Sequence, residues 1–206
     1  MRRTGTAAIR TGHLDFPRAR RVLFGLILLL LLPPYLSGAC ATQVTPVFDR
    51  DFRQVFLDVV SRSTDSIYLS IYIFKTDSPF QNSAADLQEA LILAAKRGVE
   101  VHVLFEETDE SDHFLMEANM DTARGLAYFG VNCYFYSAAR MHTKLLVVDE
   151  HLTLMGSHNY TVSALRHNRE ASVLIESHEF AEVALSYIQS MMRKSQKLQE
   201  IGATKQ

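Results

Sequence analysis

Hydrophobic positions along the chain follow two rhythms in alternation. Phe52, Val55, Phe56 and Val59 recur at helical spacing and predict a helix within residues 48–60. Residues 67–74 are β-branched and aromatic, which predicts a strand buried on both faces. Asn82 or Ser83 is placed to cap a helix that runs through Leu87, Leu91 and Ala94 and stops at Gly98. Residues 99–105 read as a second strand, 106–112 as an acidic solvated loop, 114–129 as a helix ended by Gly130, and 131–136 as a third strand. Residues 144–149 and 152–155 form a hairpin-like pair around Glu150 and His151, 171–176 is another strand, and 179–198 is an amphipathic helix. Such alternation predicts an α/β fold, a mixed β-sheet flanked by helices on both faces. There is no internal repeat and no long Pro/Ser-rich linker, so residues 42–206 are expected to form a single domain.

The N-terminal segment breaks this pattern. Arg18, Arg20 and Arg21 precede an apolar run of 11 residues, 22–32, then Pro33-Pro34 and the small residues 37–41. A basic stretch, a short apolar stretch and small residues ahead of a polar chain describe a signal for export. The run is shorter than the roughly 20 residues of a free-standing transmembrane helix. Residues 1–41 are therefore read as a signal peptide or a membrane or lipid anchor, and the body as exported: periplasmic, secreted or membrane-anchored. Residues 36–40 resemble a bacterial lipobox ending at Cys40, with the leucine one place too far upstream. The plainer reading makes Cys40 a small residue of a cleavage region. Cys133, the other cysteine, reads as a buried core thiol. Two cysteines exclude a disulfide framework and a zinc site built on paired CxxC motifs. The formal charge is −2 overall, but residues 42–206 carry 15 basic and 22 acidic residues. A body-wide basic field for gripping nucleic acid is absent, although a local patch is compatible with this balance.

The chemistry gathers between residues 142 and 170. His142 and Lys144 stand two apart at the start of a strand, so both side chains meet one face. The next strand ends in Gly156-Ser157-His158-Asn159, where Ser157 and Asn159 again share a face. Side by side, these strands bring together an imidazole, an ammonium, a hydroxyl and an amide. Lysine and asparagine supply donors to phosphate oxygens, and histidine a nucleophile or acid. Gly156 allows close backbone approach.

This arrangement resembles the motif of the phospholipase D superfamily, HxK-x4-D-x6-GSxN. All six fixed residues match: His142, Lys144, Asp149, Gly156, Ser157 and Asn159. A chance match at one start is on the order of one in tens of millions. Tyr160-Thr161 continues the likeness, and Asn168-Arg169-Glu170 before an apolar strand resembles the family's N-x-E element. The likeness covers most of residues 48–192. It is closest to the single-motif branch, which includes bacterial periplasmic endonucleases and a mitochondrial cardiolipin hydrolase. It implies a metal-independent phosphodiesterase with no cofactor, in which one histidine forms a phosphohistidine and a second acts as acid and base. With one motif per chain, it implies a homodimer with two copies of His142 at one site. In that scheme Lys144, Ser157 and Asn159 hold the phosphate, Asp149 supports the motif by hydrogen bonding, and Glu170 orients the catalytic imidazole.

Other residues are weighed against plainer roles. His151 reads as a turn residue, and His158, alternating with Ser157 and Asn159, points to the opposite face. No carboxylate or thiol stands at ligand spacing to make a zinc site with them. Arg140, Arg166 and Arg169 are rim cations or ordinary surface charges. The strand aromatics are core by default, with Tyr134, Tyr136 and Tyr160 as alternative groove residues. The substrate is expected to be nucleic acid cut by an endonuclease. The alternative is a phospholipid headgroup, with membrane association through the N-terminus, and the minor alternative is a non-catalytic binding protein.

Overall fold

A computed structural model describes residues 42–76, 83–108 and 113–199 of this chain. The N-terminal segment, Asn82 and the end of the acidic loop lie outside these residues. The strands are β1 (Gln43–Phe48), β2 (Ser66–Ile71), β3 (Glu100–Glu106), β4 (Asn132–Tyr136), β5 (Lys144–Val148), β6 (Leu152–Gly156), β7 (Ala171–Glu176) and β8 (Gln196–Lys197). The helices are α1 (Asp51–Ser61), α2 (Ser83–Lys96), α3 (His113–Tyr128), α4 (Val162–Arg166) and α5 (His178–Met192).

The strands form one sheet in the order β1-β7-β6-β5-β2-β3-β4-β8. The β2/β3 and β3/β4 pairs are parallel, and every other neighbouring pair is antiparallel. The sheet is mixed for a simple reason. Parallel neighbours need long crossovers, which α2 and α3 supply, whereas β5 and β6 are joined by three residues and must run antiparallel.

Strand alternation sorts the side chains between two layers. Ile67, Leu69 and Ile71, with Val101, Val103, Phe105 and Leu146, enter a large core under α1, α2 and α3. Leu104, Leu145 and Val147 enter a smaller one under α5, with Ala181, Leu185 and Ile188. Helices thus cover both faces, as the central strands' near-continuous apolar runs require. Among the described residues, no helix is long and apolar enough to cross a membrane.

Several boundaries differ from the sequence reading. The helix expected over 48–60 starts at Asp51, because Phe48 belongs to β1, which pairs with β7 from Gln43↔Glu176 to Phe48↔Ala171. The Ser83 hydroxyl is buried without a hydrogen-bond partner among the described residues, so it does not cap α2. The final helix ends at Met192 rather than 198. After a turn at 193–195, Gln196 and Lys197 pair with β4 and complete the sheet. Tyr160 is no groove residue. It is 1% exposed and packs edge-on against Phe56 and Phe74, with burial raising its phenol pKa. Tyr134 and Tyr136 pack against the core under α5.

Candidate active site

The site is assembled where β5 begins and β6 ends. The register Leu145↔Met155, carried one step further, sets Lys144 beside Gly156. A Cβ on Gly156 would overlap the Ser172 side chain and backbone and the Ala171 carbonyl oxygen, so only glycine lets β7 approach here. On the other side of β5, Ile71 pairs with Lys144, and the Tyr72 N–H donates to the Thr143 carbonyl at 3.1 Å. The Thr143 and Ser70 hydroxyls lie 2.8 Å apart. Thr143 is thereby clamped between His142 and Lys144, which fixes the backbone that carries both.

His142 is exposed and Lys144 is buried. The Lys144 ammonium donates to the His142 carbonyl at 2.9 Å and lies 3.1 Å from Nδ1 and 3.3 Å from Nε2 of the same residue. Partial burial, then the Lys144 and Arg140 cations, lower the His142 pKa. Burial also lowers that of Lys144, against an opposing pull from Glu170. The lowered pKa favours the neutral imidazole, whose unprotonated ring nitrogen can accept from the Lys144 ammonium and, once released from it, attack an electrophile that carries negative charge.

Ser157 donates its hydroxyl to the Glu170 carboxylate and accepts from the Ala171 N–H at 3.1 Å. The other Glu170 oxygen accepts from the Asn168 side chain at 2.9 Å. Asn159 Oδ1 is buried without a partner among the described residues. Within one chain, then, the described hydrogen bonds of the Glu170 carboxylate run to Ser157 and Asn168, and those of the His142 ring to Lys144.

Asp149 lies elsewhere. It follows the far end of β5, roughly 16 Å from Lys144 at about 3.3 Å per residue. Asp149 and Glu150 both have φ of 50°, and the Val148 carbonyl accepts from the His151 N–H at 3.1 Å, so His151 closes the turn. The Asp149 carboxylate accepts from the Thr64, Asp65 and Ser66 N–H groups at 2.8, 2.9 and 3.0 Å. Burial pushes its pKa up, but these bonds outweigh that and leave it lowered. Its contact is with the turn into β2, at the opposite end of β5 from Lys144.

His158 is wholly buried and faces away from Ser157 and Asn159. Its Nδ1 lies 2.7 Å from the Ser172 hydroxyl, its Nε2 lies 2.9 Å from the Asp49 carbonyl oxygen, and its ring stacks on Phe52. A carbonyl can only accept, so Nε2 carries the proton and Nδ1 accepts from Ser172. Asp49, with φ of 50°, then takes the Glu170 N–H at 2.9 Å and the Arg169 guanidinium at 2.6 Å. The histidine and the aspartate together brace the segment that holds Glu170. Arg169, read from the sequence as a rim cation or an ordinary surface charge, is an exposed side chain paired with Asp49. Arg166 sits exposed in α4.

Sequence reasoning missed three neighbours of the site. Tyr72 leans its ring against His142 at 4.4 Å, and the Arg140 guanidinium donates to its hydroxyl at 2.6 Å. Glu106, 3% exposed, accepts the Met141 N–H at 2.7 Å and so anchors the residue before His142; burial raises its pKa. Asp49 is the third. The strand expected over 67–74 included Tyr72, while Glu106, expected to open a solvated loop, instead ends β3 and is buried; the roles of all three depend on long-range packing. Among the described residues, no three His, Cys, Asp or Glu side chains group so as to hold a metal ion.

Residues 56–192 match the family model described as cardiolipin synthase, PLD-like domain. The chain belongs to the phospholipase D superfamily. This PLD-like chain is 34% identical over 122 residues to the minor cardiolipin synthase ClsB of Bacillus subtilis, covering 59% of this chain and 30% of that protein. It is 28% identical to a phospholipase D of Rickettsia prowazekii over 140 residues, 64% of this chain and 56% of the other. It thus spans under a third of the length of the first of these relatives and just over half of the second. In fold it is similar to the phospholipase D family member Nuc of Salmonella typhimurium, at a TM-score of 0.65 and 24% identity over 76% of this chain and 97% of that one. NucT of Helicobacter pylori is similar at 0.62 and 19%, over 76% and 99%.

Proposed function

We propose that this chain is a metal-independent phosphodiesterase that works through a phosphohistidine and as a homodimer. The observation that carries the reading is the His142 imidazole held 3.1 Å from the Lys144 ammonium at the start of β5, next to the end of β6; burial and two cations lower its pKa. A nitrogen of His142 attacks phosphorus, the bond to the leaving oxygen breaks, and that oxygen takes a proton from a second imidazole. The second imidazole then removes a proton from water, whose oxygen displaces His142 from phosphorus. Lys144 and the Asn159 amide nitrogen donate to the phosphate oxygens, and Ser157 joins them when its hydroxyl turns from Glu170 to the phosphate. The second imidazole is His142 of another copy, and Glu170 of one copy orients His142 of the other.

The substrate we propose is a nucleic-acid strand. Tyr72 offers a stacking face beside His142, and Arg140 a cation for the backbone. A phospholipid headgroup is the second reading, favoured by the names of the curated relatives. The test incubates the full chain, with EDTA, with single-stranded DNA, RNA, duplex DNA and cardiolipin vesicles, alongside His142→Asn. Cutting of nucleic acid by the wild type alone is expected. Release of phosphatidic acid with nucleic acid left intact would move the assignment to phospholipid, and turnover unaffected by His142→Asn would sink the phosphohistidine.

A further inference from the structure

A single buried amide on α3 ties together the ends of two strands that lead to the site. β2 and β3 pair as far as Ile71 and Phe105. One residue further on, the carbonyl oxygens of Tyr72 and Glu106 both accept from the Asn119 side-chain nitrogen, at 2.9 and 3.1 Å. Asn119 Oδ1 in turn accepts from the Phe74 N–H at 2.9 Å. Asn119 is 0% exposed in the interior of α3, on the face that also carries Leu115, Ala123 and Leu126. An asparagine is a poor helix former, and burying its amide is unfavourable unless the amide is hydrogen-bonded. The helix itself gains nothing from this residue, so its use lies in what it binds.

Both residues that it holds grip the backbone of His142. The Glu106 carboxylate accepts from the Met141 N–H at 2.7 Å, and the Tyr72 N–H donates to the Thr143 carbonyl at 3.1 Å. Met141 and Thr143 are the two chain neighbours of His142. The Tyr72 ring also stands 4.4 Å from the imidazole. The β5 ladder with β2 begins only at Lys144, so these bonds take over where the sheet stops. We propose that Asn119 is a positioning residue, which sets where the His142 imidazole stands by fixing Tyr72 and Glu106 on either side of it. The inference rests on the phosphohistidine reading and deepens it by adding a residue of α3, outside the motif, to the machinery of the nucleophile. The two grips on residues 141 and 143 share one anchor, so losing that anchor loosens both at once. A nucleophile displaced by about 1 Å loses on the order of 100-fold in rate.

The experiment uses the full chain in detergent, isotope-labelled at histidine, with the soluble diester bis(p-nitrophenyl) phosphate as substrate. Asn119→Leu keeps the volume of the side chain and donates nothing. It is expected to lower kcat about 100-fold with KM nearly unchanged. It is also expected to raise the pKa of His142 in an NMR titration of its ring, assigned with His142→Asn, because an imidazole that drifts from Lys144 and Arg140 loses part of what lowers it. Leu91→Ala, a core truncation under α2, is expected to lower the thermal midpoint and leave both readouts in place. Should Asn119→Leu not fold, Glu106 carries the same test. Glu106→Leu is expected to reproduce the loss of kcat and the shift of His142, and Glu106→Gln, whose amide oxygen still accepts from Met141, to rescue both. An active Asn119→Leu with an unmoved His142 would overturn the positioning role and leave the phosphohistidine reading intact. So would equal changes in Leu91→Ala, or a Glu106→Gln that falls as far as Glu106→Leu. If His142 moves in the variants but the wild type turns over no diester, the positioning stands and the phosphohistidine reading falls.

Discussion

At the scale of single residues, the site is governed by which groups are charged. His142 is pushed toward its neutral form by burial and by Lys144 and Arg140. Its folded pKa lies below the usual 6.5, so the nucleophile keeps its lone pair into mildly acidic solution. The rising limb of kcat/KM against pH is expected below pH 6.5, and Lys144→Met, which removes the nearest cation, is expected to shift what activity remains toward higher pH. Asp149 shows a different economy. Its carboxylate serves three backbone N–H groups at the end of the sheet away from His142. Asp149→Ala is expected to cost about 3 kcal/mol of stability, measured by denaturant unfolding, with near wild-type turnover per folded molecule. Because the folded pKa is lowered, that contribution is fully present above the unfolded value near 3.8 and is lost as pH falls below it. The stability difference between wild type and Asp149→Asn should therefore shrink only in that acid range.

At the scale of elements, the decisive contacts are between neighbouring strands. Gly156 lets β6 and β7 close so that Ser157 reaches both Glu170 and Ala171. Gly156→Ala is expected to destabilise by about 3 kcal/mol and to lower activity further in the protein that still folds, read as a fall in kcat at constant KM. The central strands and the three long helices of the first layer were legible in the sequence, because each buries a continuous run or a regular stripe. Three elements were not. β1 carries Pro46 and is mostly exposed, so it shows no alternation, and its place comes from pairing with β7. α4 has five residues, too few for a period, and is set by the Thr161 hydroxyl accepting the Ala164 N–H. β8 is a polar pair that becomes a strand only because β4 has a free edge. The site divides in the same way. The spacing from His142 to Asn159 was readable because sheet geometry turns it directly into proximity. Tyr72, Glu106 and Asp49 reach the site through the third dimension, which no local pattern encodes.

At the scale of the whole molecule, the proposed site is half built in each copy. Mixing wild type with an equal amount of His142→Asn, under conditions that let copies exchange, is expected to halve activity per wild-type chain. Random pairing leaves about a quarter of dimers with two imidazoles, instead of half. Activity per wild-type chain that does not change on mixing would mean that one chain is sufficient. The fold also holds one chemically silent group. Cys133 sits beneath α3 with its thiol toward the Ala123 carbonyl, 2% exposed, and burial pushes its pKa up to about 12. Protected both from reagents and from ionising, it reacts only when β3 and β4 separate from α3. In a Cys40→Ser background it is a natural stopwatch: the rate at which a maleimide captures it counts the openings of the sheet, and a ligand that clamps the fold would slow the count.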